Sequence, residues 1–209
     1  MEEINIRRAV PSDLPYLYEI CLKTGDAGND ATELFRDPFV LGQHYAAPYL
    51  LYPAGICFVA EHECRPQGYI VAAPDTLAFR KWMEEQWLPP LRKRYPLPVP
   101  PALFRSELEQ RIIEHFHVRQ YPPYTGAPPW FTEYPAHLHI DLLPGIQRKG
   151  RGRALVDALF AELTRQGVSG LHLGVSAENP NAIAFYQKVG FTVVNEFIGG
   201  FTFGRLCGT

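Results

Sequence analysis

The stretch from Leu142 to Leu155, with the sequence LLPGIQRKGRGRAL, constrains the fold more than any other part of the chain. An apolar segment ends there, a short loop follows, and an apolar pattern with helical spacing begins. Gly150 and Gly152 carry no Cβ, so backbone N–H groups can approach an anion closely at these positions. The start of a helix has unpaired N–H donors and favours negative charge, and the stretch therefore predicts a diphosphate site. Five further residues add donors and positive charge around it: Gln147, Arg148, Lys149, Arg151 and Arg153.

Other interpretations of this loop compete with that prediction. A P-loop needs Gly-Lys followed by Ser or Thr, whereas this loop ends Gly-Arg-Ala. A dinucleotide-binding fold places its glycine motif after the first strand, with an acid about 20 residues later. Here the loop comes late in the chain, and the strand that begins at Leu171 ends without an acid. A plain turn at the start of a helix stays open from the loop alone.

A second informative segment runs from Glu178 to Phe191. Asn179 can cap a helix that has Pro180 in its first turn. Tyr186 falls near the middle of that helix, and Gly190 is expected to end it. The residues predicted to pack on the sheet or in the core are Ile183, Ala184, Phe185, Val189 and Phe191.

The order of the elements predicts an α/β fold. In the C-terminal part we expect strand 137–143, helix 150–166, strand 171–175, helix 180–189 and strands 191–196 and 201–206. In the N-terminal part we expect strand 3–9, a helix capped by Ser12, a polar break over 25–29, a helix within 39–51 that Pro48 ends or bends, and strands 56–60 and 68–73 around a turn-like stretch over 61–67.

Residues 74–135 interrupt this rhythm and are predicted to form an insertion within a single domain over 1–209. Helices are expected at about 76–88 and 103–117, and the second helix has one apolar face. That face consists of Leu103, Leu108, Ile112, Ile113 and Phe116. Proline fixes φ and removes a donor, so the proline-rich runs are expected to be irregular chain on the surface. These runs lie at 88–91, 95–101 and 121–130.

Composition argues against several classes of protein. A formal net charge of −2 disfavours a dedicated nucleic-acid binder, and the basic cluster Arg92–Arg94 is short. No apolar run approaches the roughly 18 residues of a membrane span, and the acidic N-terminus lacks the pattern of a signal peptide. Cys21, Cys57, Cys64 and Cys207 are scattered. We therefore expect a cytoplasmic protein with buried free thiols and no metal site.

Together the two segments resemble the GNAT acetyltransferase superfamily. Gln147, Gly150 and Gly152 match its pyrophosphate loop, which has the pattern Gln/Arg-x-x-Gly-x-Gly/Ala. The later signature of the superfamily is Asn-x-x-Ala-x-x-Phe-Tyr-x-x-x-Gly-Phe. It is matched, with two residues fewer before the first Phe, by Asn181, Ala184, Phe185, Tyr186, Gly190 and Phe191.

The resemblance implies a mixed sheet whose fourth and fifth strands splay apart, with the insertion placed before the fourth strand. It also implies acetyl-CoA as the co-substrate and no metal. Backbone groups of Leu142 and Leu143 would bond the pantetheine arm, and residues 147–152 would hold the pyrophosphate. The remaining residues implied to contact the cofactor are Arg153, Asn179, Asn181 and Tyr186.

A closer likeness covers most of the chain. The opening Ile6–Cys21, the segment Cys57–Val59 with Gly68-Tyr69, and the run Trp87–Tyr95 are similar to the acetyltransferase-like domain of animal O-GlcNAcases and its stand-alone bacterial relatives. His139–Asp141 resembles the fourth strand of that domain. The chain has no room for a glycoside hydrolase domain, so hydrolase activity is not implied. Many GNAT proteins pair through their last strands, and a homodimer is compatible with the resemblance.

Acetyl transfer to an amine needs a neutral nucleophile and a proton for the departing thiolate. The family places a tyrosine of the later helix beside the sulfur, so Tyr186 is the candidate acid, with a plain core aromatic as the alternative. On strand 137–143 the side chains of His137, His139 and Asp141 share one face. Asp141 is the first candidate base, and His139, whose ordinary pKa lies near neutrality, is the second. Alternatively, these groups only order water or bind the acceptor.

Three functions are compatible with these features. The first is an N-acetyltransferase acting on a primary amine of a small molecule or on a lysine side chain. The second is a non-catalytic sensor or interaction module that binds acetyl-CoA or CoA, and the third is a phosphate-ligand binder of another class. The presence of Tyr186 and Asp141 favours the first. The insertion is expected to cover the acceptor cleft with residues that include Tyr121, Tyr124, Trp130, Glu133 and Tyr134.

Overall fold

The computed structural model describes residues 5–98, 100–119 and 127–208. Within these residues, seven strands form one sheet: β1 (Asn5–Arg8), β2 (Ile56–His62), β3 (Arg65–Ala73), β4 (Ala136–Leu142), β5 (Gly170–Ser176), β6 (Thr192–Phe197) and β7 (Gly200–Leu206). Their order across the sheet is β1-β2-β3-β4-β5-β7-β6. All neighbours are antiparallel except β4 and β5, which are parallel. The predicted α/β fold with a mixed sheet is confirmed.

Helices cover both faces of this sheet. They are α1 (Leu14–Thr24), α2 (Val40–Tyr45), α3 (Ala47–Leu51), α4 (Thr76–Trp82), α5 (Leu88–Arg94), α6 (Glu107–His117), α7 (Arg151–Arg165) and α8 (Pro180–Lys188). The layer from α1 to α6 packs on one face, and α7 and α8 pack on the other. Among the described residues, no helix combines the length and the apolarity that a bilayer crossing would need.

Two buried clusters form the core, one on each face of the sheet. β3 contributes to both clusters because successive side chains of a strand point to opposite faces. On α7, Leu155, Leu159 and Leu163 recur every four residues and are fully buried against the sheet. The sheet is therefore covered on both sides, and only an opening between strands can give access through it.

The N-terminal part differs from the prediction in three places. A 3-10 turn over Pro11–Asp13 precedes α1, and the residue before the helix is Asp13 and not Ser12. The Asp13 carboxylate forms a salt bridge of 2.7 Å with Arg7 and accepts a hydrogen bond from the Val10 N–H. The predicted helix within 39–51 is broken at Ala46 into α2 and α3, so that Pro48 lies in the first turn of α3.

The turn between β2 and β3 is also shorter than the expected stretch over 61–67. Only Glu63 and Cys64 form it, and both have positive φ angles, of 49° and 60°. Two consecutive residues with positive φ fit the twist of a two-residue hairpin. Neither residue is glycine or asparagine, so the sequence lacks the usual signal for this turn. Cys64 is exposed, which corrects the expectation that all four thiols are buried.

The first proline-rich run of the insertion is helical, contrary to the prediction. A π-helical segment over Met83–Trp87 joins α4 to α5, and Pro89 and Pro90 lie in the first turn of α5. The Leu88 N–H bonds to the carbonyl of Met83, five residues earlier. Prolines in a first turn remove only donors that would lack intrahelical partners there. Leu103 lies before α6 and is 52% exposed, so it does not share the buried face of that helix.

Candidate functional site

The parallel strands β4 and β5 separate soon after they begin. Ala136 pairs with Leu171 and His137 with His172, and the described residues beyond them form no further pair between these two strands. A cleft of about 990 Å³ opens there, lined by Leu138–Leu142 on one side and Leu173–Ser176 on the other. The structure therefore has the splayed fourth and fifth strands that the resemblance implied.

The loop after β4 and the start of α7 line one end of this cleft. Gly150 is the residue before α7 and has a φ angle of 76°, in the left-handed region that favours glycine. The first N–H groups of α7 have no partners within the helix and carry its positive dipole end. Five predicted residues of this loop line the cleft: Gln147, Arg148, Gly150, Gly152 and Arg153. Lys149 and Arg151, also predicted, do not line it.

Gly152 allows α7 and α8 to approach each other. A Cβ at this position would lie 3.0 Å from the Phe185 ring, closer than nearly all real contacts of this kind. By contrast, a Cβ at Gly145 or Gly150 would meet nothing within 4 Å. The loop thus combines one glycine needed for packing with open space beside the helix N-terminus.

The backbone of Leu143 has partners of its own. Its N–H donates to the carbonyl of Gln67 at 2.9 Å, and its carbonyl accepts from the Ile146 N–H at 3.1 Å. The side-chain amide of Gln147 donates to the carbonyl of Leu142 at 2.7 Å. Leu142 lines the cleft and Leu143 does not. The N–H and the carbonyl of Leu143 thus each have a partner within the protein, and its role in bonding a bound arm stays a prediction.

Helix α8 forms the other part of this end of the cleft. Asn179 caps it, as predicted, by accepting from the Ala182 N–H at 3.0 Å, and Pro180 follows in the first turn. Asn179 and Asn181 both line the cleft. Together, the lining residues of 147–153 and 179–189 are called the C-terminal wall below.

Tyr186 lies in the C-terminal wall and is mostly buried, with 8% of its surface exposed. Its ring packs at 5.6 Å from that of Phe191 and 6.2 Å from that of Phe203. Burial raises the pKa of its phenol, and the nearby charge of Asp141 raises it further. Tyr186 is thus both a core aromatic and a neutral proton donor that lines the cleft.

Asp141 lines the cleft from β4 and accepts a short hydrogen bond from the Tyr69 hydroxyl. Burial raises the pKa of Asp141 to about 6, and the hydrogen bond from Tyr69 offsets part of that rise. The carboxylate is therefore largely ionised at neutral pH, yet its pKa is closer to neutrality than that of an ordinary aspartate. These are the properties expected of a general base.

The two histidines of β4, His137 and His139, are less suited than Asp141 to act as a general base. Burial lowers the pKa of His139 to about 4, so it is neutral but a weaker base than an ordinary histidine. His137 Nδ1 lies 2.8 Å from the Thr76 hydroxyl, which itself donates to the Pro135 carbonyl. That nitrogen must then donate, and Nε2 accepts from the Tyr49 hydroxyl at 2.8 Å. His137 is fully used in the core and does not line the cleft.

The opposite part of the lining was missed by sequence reasoning. It consists of Cys21, the lining residues of the loop 24–29, Leu41, Tyr45 and Leu108, and is called the N-terminal wall below. These residues come from α1, α2 and α6, on the sheet face opposite α7 and α8. The side-chain amide of Asn179 lies 3.5 Å from the Ala27 carbonyl, so the two walls meet at this point. A glycine-containing break over 25–29 was visible, but nothing in its pattern indicated a cleft.

The insertion contributes little to the cleft. Of its described residues, only Leu108 lines it, whereas Trp130, Glu133 and Tyr134 do not. Tyr121 and Tyr124 lie outside the described residues. The described part packs instead into the core on that face of the sheet, where Phe79 stacks on Tyr49 of α3 and α6 packs on α2. The prediction that the insertion covers the cleft is therefore not supported by the described residues.

The arrangement fits an elongated anionic ligand better than a metal ion. Arg148, Arg153 and Lys188 supply positive charge along the C-terminal wall, beside the N-terminus of α7. Among the described residues, no three His, Cys, Asp or Glu side chains come together in a way that could hold a metal ion. A diphosphate with a long uncharged arm would match the helix end and the opening between β4 and β5.

Comparison with solved structures shows the same fold in several proteins. The crystal structure of SsHAT superimposes with a TM-score of 0.85 at 32% identity, covering 99% of this chain and all of that chain. The PaiA N-acetyltransferase from Thermoplasma acidophilum, solved in complex with coenzyme A, has a TM-score of 0.55 at 15% identity, covering 98% of this chain and 99% of that one. The second likeness concerns the fold alone.

Comparison of sequences identifies the family. The [Ribosomal protein bS18]-alanine N-acetyltransferase of Escherichia coli (strain K12) is 50% identical over 53 residues, which are 25% of this chain and only 36% of that protein. The chain thus spans about a third of the length of the curated relatives that it matches. A model of the Acetyltransferase (GNAT) family matches residues 28–191, well over half of the chain. The protein therefore belongs to the GNAT acetyltransferase family.

Proposed function

We propose that this protein transfers the acetyl group of acetyl-CoA directly to a primary amine. One observation carries the proposal. The cleft between β4 and β5 joins the N-terminus of α7 to a point lined by both Asp141 and Tyr186. An anion site, a channel through the sheet and an acid–base pair are what such a transfer requires.

The C-terminal wall would hold the CoA. Gly150 and the first N–H groups of α7 face the space for the pyrophosphate, and Gln147, Arg148 and Arg153 stand beside it. Leu142 and the opening between the strands would accept the pantetheine arm, with Asn179, Asn181 and Lys188 along α8. Lys149 and Arg151 would act only through their charge. Acetyl-CoA supplies an activated thioester, and the CoA found in the Thermoplasma relative supports this choice.

Asp141 accepts the proton that the amine loses as the new C–N bond forms. Tyr186 donates its phenolic proton to the sulfur as the C–S bond breaks. The proton on Asp141 then returns through solvent to the Tyr186 oxygen, so that each cycle balances. The protonation states suit these roles, because the pKa of Asp141 is about 6 and that of Tyr186 is raised. Burial lowers the pKa of His139 to about 4, which makes it a weak base. Because it also lines the cleft, it would help to orient the acceptor.

The finer features of the proposal rest on the sequence. The acceptor is a small-molecule amine or a lysine side chain, and the alanine acetylated in the curated relatives adds an α-amine to the candidates. Within the family, the segments Ile6–Cys21 and Trp87–Tyr95 support the group that contains the O-GlcNAcase domain and its bacterial relatives. A cytoplasmic location and a homodimer are further parts of this proposal.

Two measurements test it. A thermal-shift comparison of acetyl-CoA, ATP and NAD should show stabilisation by acetyl-CoA alone, about 2.7 kcal/mol at 100 times its Kd. A library of amines should then give thiol release that depends on both acetyl-CoA and amine. CoA binding without any acceptor would favour the sensor module, and stabilisation by ATP or NAD alone would contradict the proposal.

A further inference from the structure

The two walls of the cleft carry very different charge. Arg148, Arg153 and Lys188 all belong to the C-terminal wall. Among the described residues that line the cleft, Asp141 is the only carboxylate, and Asp26, in the loop 24–29, is not part of the lining. Outside the C-terminal wall, the described lining of the cleft therefore has one anionic group, Asp141, and no permanent cation.

The helical part of the N-terminal wall is apolar, whereas the loop 24–29 adds Thr24, whose side chain hydrogen-bonds Asp141, and Asn29. Cys21 and Leu41 are each 2% exposed, and Tyr45 and Leu108 are partly buried. Burial raises the pKa values of the Cys21 thiol and the Tyr45 phenol, so both groups are uncharged at neutral pH. The ring of Tyr45 packs edge-on at 4.9 Å from that of His139. Cys21, Leu41, Tyr45 and Leu108 thus present mainly hydrocarbon and aromatic surface near one carboxylate, and the wall carries no charged side chain of its own.

This surface should discriminate between amines by the other charged or polar groups that they carry. A single ammonium group can be held by Asp141 and the nearby Tyr45 ring. A second ammonium would enter the apolar wall without a partner, which is costly. A carboxylate would meet Asp141 and no cation on this side. The several hydroxyl groups of an amino sugar would lose water and find few polar side chains in this wall beyond Thr24 and Asn29.

We propose that the acceptor of this enzyme is a primary monoamine carried on an apolar alkyl or aryl-alkyl chain. The proposal rests on the proposed function, because it assigns the C-terminal wall to CoA and the N-terminal wall to the amine. The chain of the amine packs between Leu41, Tyr45 and Leu108, while its nitrogen lies beside Asp141.

The test compares hexylamine with hexamethylenediamine, which differ only by an ammonium group at the far end. Phenylethylamine, glucosamine and a lysine-containing peptide complete the panel. Binding is measured by calorimetry on protein saturated with CoA, and kcat/KM is measured separately with acetyl-CoA. Hexylamine and phenylethylamine should exceed the other three by at least about tenfold in both assays.

The two assays separate the two proposals. Preferential binding of hexylamine without any turnover would support this acceptor class and contradict acetyl transfer. Turnover that prefers the diamine, the sugar or the peptide would support acetyl transfer and overturn the acceptor class. Equal binding of hexylamine and hexamethylenediamine would overturn the acceptor class with or without turnover.

A designed variant sharpens the comparison. Leu108→Asp places a second carboxylate in the N-terminal wall and should raise the ratio of diamine to monoamine binding at least tenfold. Leu103→Asp is the matched control, because Leu103 is exposed on the same segment and does not line the cleft. Unchanged CoA affinity in both variants shows that they fold. A Leu108→Asp protein that binds CoA normally but keeps the wild-type ratio would contradict the role of this wall.

Discussion

The C-terminal and N-terminal walls enclose one cleft but are built in different ways. The C-terminal wall comes from two short segments, and much of it is backbone: a left-handed Gly150, a capped α8 and the first turn of α7. Apart from the lining residues of the loop 24–29, the N-terminal wall is assembled from side chains of three helices, at Cys21, Leu41, Tyr45 and Leu108. A wall made of backbone requires particular residues at fixed spacing, whereas a wall of side chains needs only suitable size and polarity. Substitutions in a wall of side chains can therefore change the ligand that it binds, while the wall of backbone continues to bind the same one.

The largest effect is expected at Asp141, which lines the cleft from β4 and belongs to neither wall. Asp141→Asn keeps the shape of the side chain but removes the base, so kcat should fall by about 10³–10⁴-fold. In the wild type, kcat at saturating amine should decline as pH falls through about 6, because Asp141 becomes protonated there. The variant should lose this limb while its CoA affinity stays constant. A retained limb would transfer the base role to His139 or to water.

A smaller effect is expected at Tyr186, in the C-terminal wall. Tyr186→Phe removes one hydroxyl and almost no volume, so packing against Phe191 and Phe203 should persist. A thiol has an ordinary pKa near 8.5, which makes thiolate a fairly good leaving group. The loss of acid catalysis should therefore cost about 10²-fold in kcat, at the lower end of the usual range. Stopped-flow thiol release should show this loss with an unchanged Kd for CoA. Near-normal turnover would leave Tyr186 as a packing residue only.

A substitution at Gly152 should affect only the C-terminal wall and therefore the binding of CoA. Gly152→Val would force a side chain against the Phe185 ring, where even a Cβ would come within 3.0 Å. The resulting shift of α7 away from α8 should weaken CoA binding at least tenfold, or about 1.4 kcal/mol. Gly145→Ala is the control, because its Cβ would meet nothing within 4 Å. Calorimetry with CoA compares the two. Equal affinities in both variants would mean that the spacing of these helices does not shape the site.

The same contrast between the walls explains which features could be predicted. The cap at Asn179 and the turn at Gly150 follow from asparagine, proline and glycine at positions where the backbone demands them, whereas the splay of β4 and β5 was implied by the resemblance to the GNAT superfamily. The N-terminal wall has no such marker, because Leu41 and Leu108 look like ordinary core residues until the chain has folded. Sequence reasoning therefore assigned the acceptor side to aromatic residues of the insertion.

Two further differences have local physical causes. His139 was the second candidate base because the ordinary pKa of histidine lies near neutrality, but its burial could not be inferred from the spacing along one strand. The same holds for the partners of His137, which are Tyr49 and Thr76. The helical run with Pro89 and Pro90 was missed because a π-helical segment precedes it. The first difference depends on partners far away in the sequence. The second depends on a hydrogen bond between residues five apart, which the usual helical spacing does not indicate.

The smallest effect is expected at Tyr69, which is fully buried, bonds to Asp141 and does not line the cleft. Its hydroxyl donates to the Asp141 carboxylate and thereby lowers the pKa of that group, against the rise caused by burial. Tyr69→Phe removes the donor, so the pKa of Asp141 should rise further. A hydrogen bond to a charged group contributes about 1.5–3 kcal/mol, and the lower end of that range corresponds to a rise of about one pKa unit.

The acidic limb of the kcat profile should therefore move from about pH 6 toward pH 7. Turnover near pH 7 should fall a few-fold, whereas turnover at pH 9 should be nearly normal. Tyr49→Phe is the matched control: it also removes a buried tyrosine hydroxyl, but that hydroxyl bonds to His137 and not to Asp141. A uniform loss at every pH in Tyr69→Phe would point to misplacement of the carboxylate instead of a change in its pKa. An unshifted limb in Tyr69→Phe would show that the Tyr69 hydroxyl does not set the pKa of Asp141. Burial and the hydrogen bond from Thr24 would then set that pKa, and substitutions at Cys21 or Leu41 should move the limb instead.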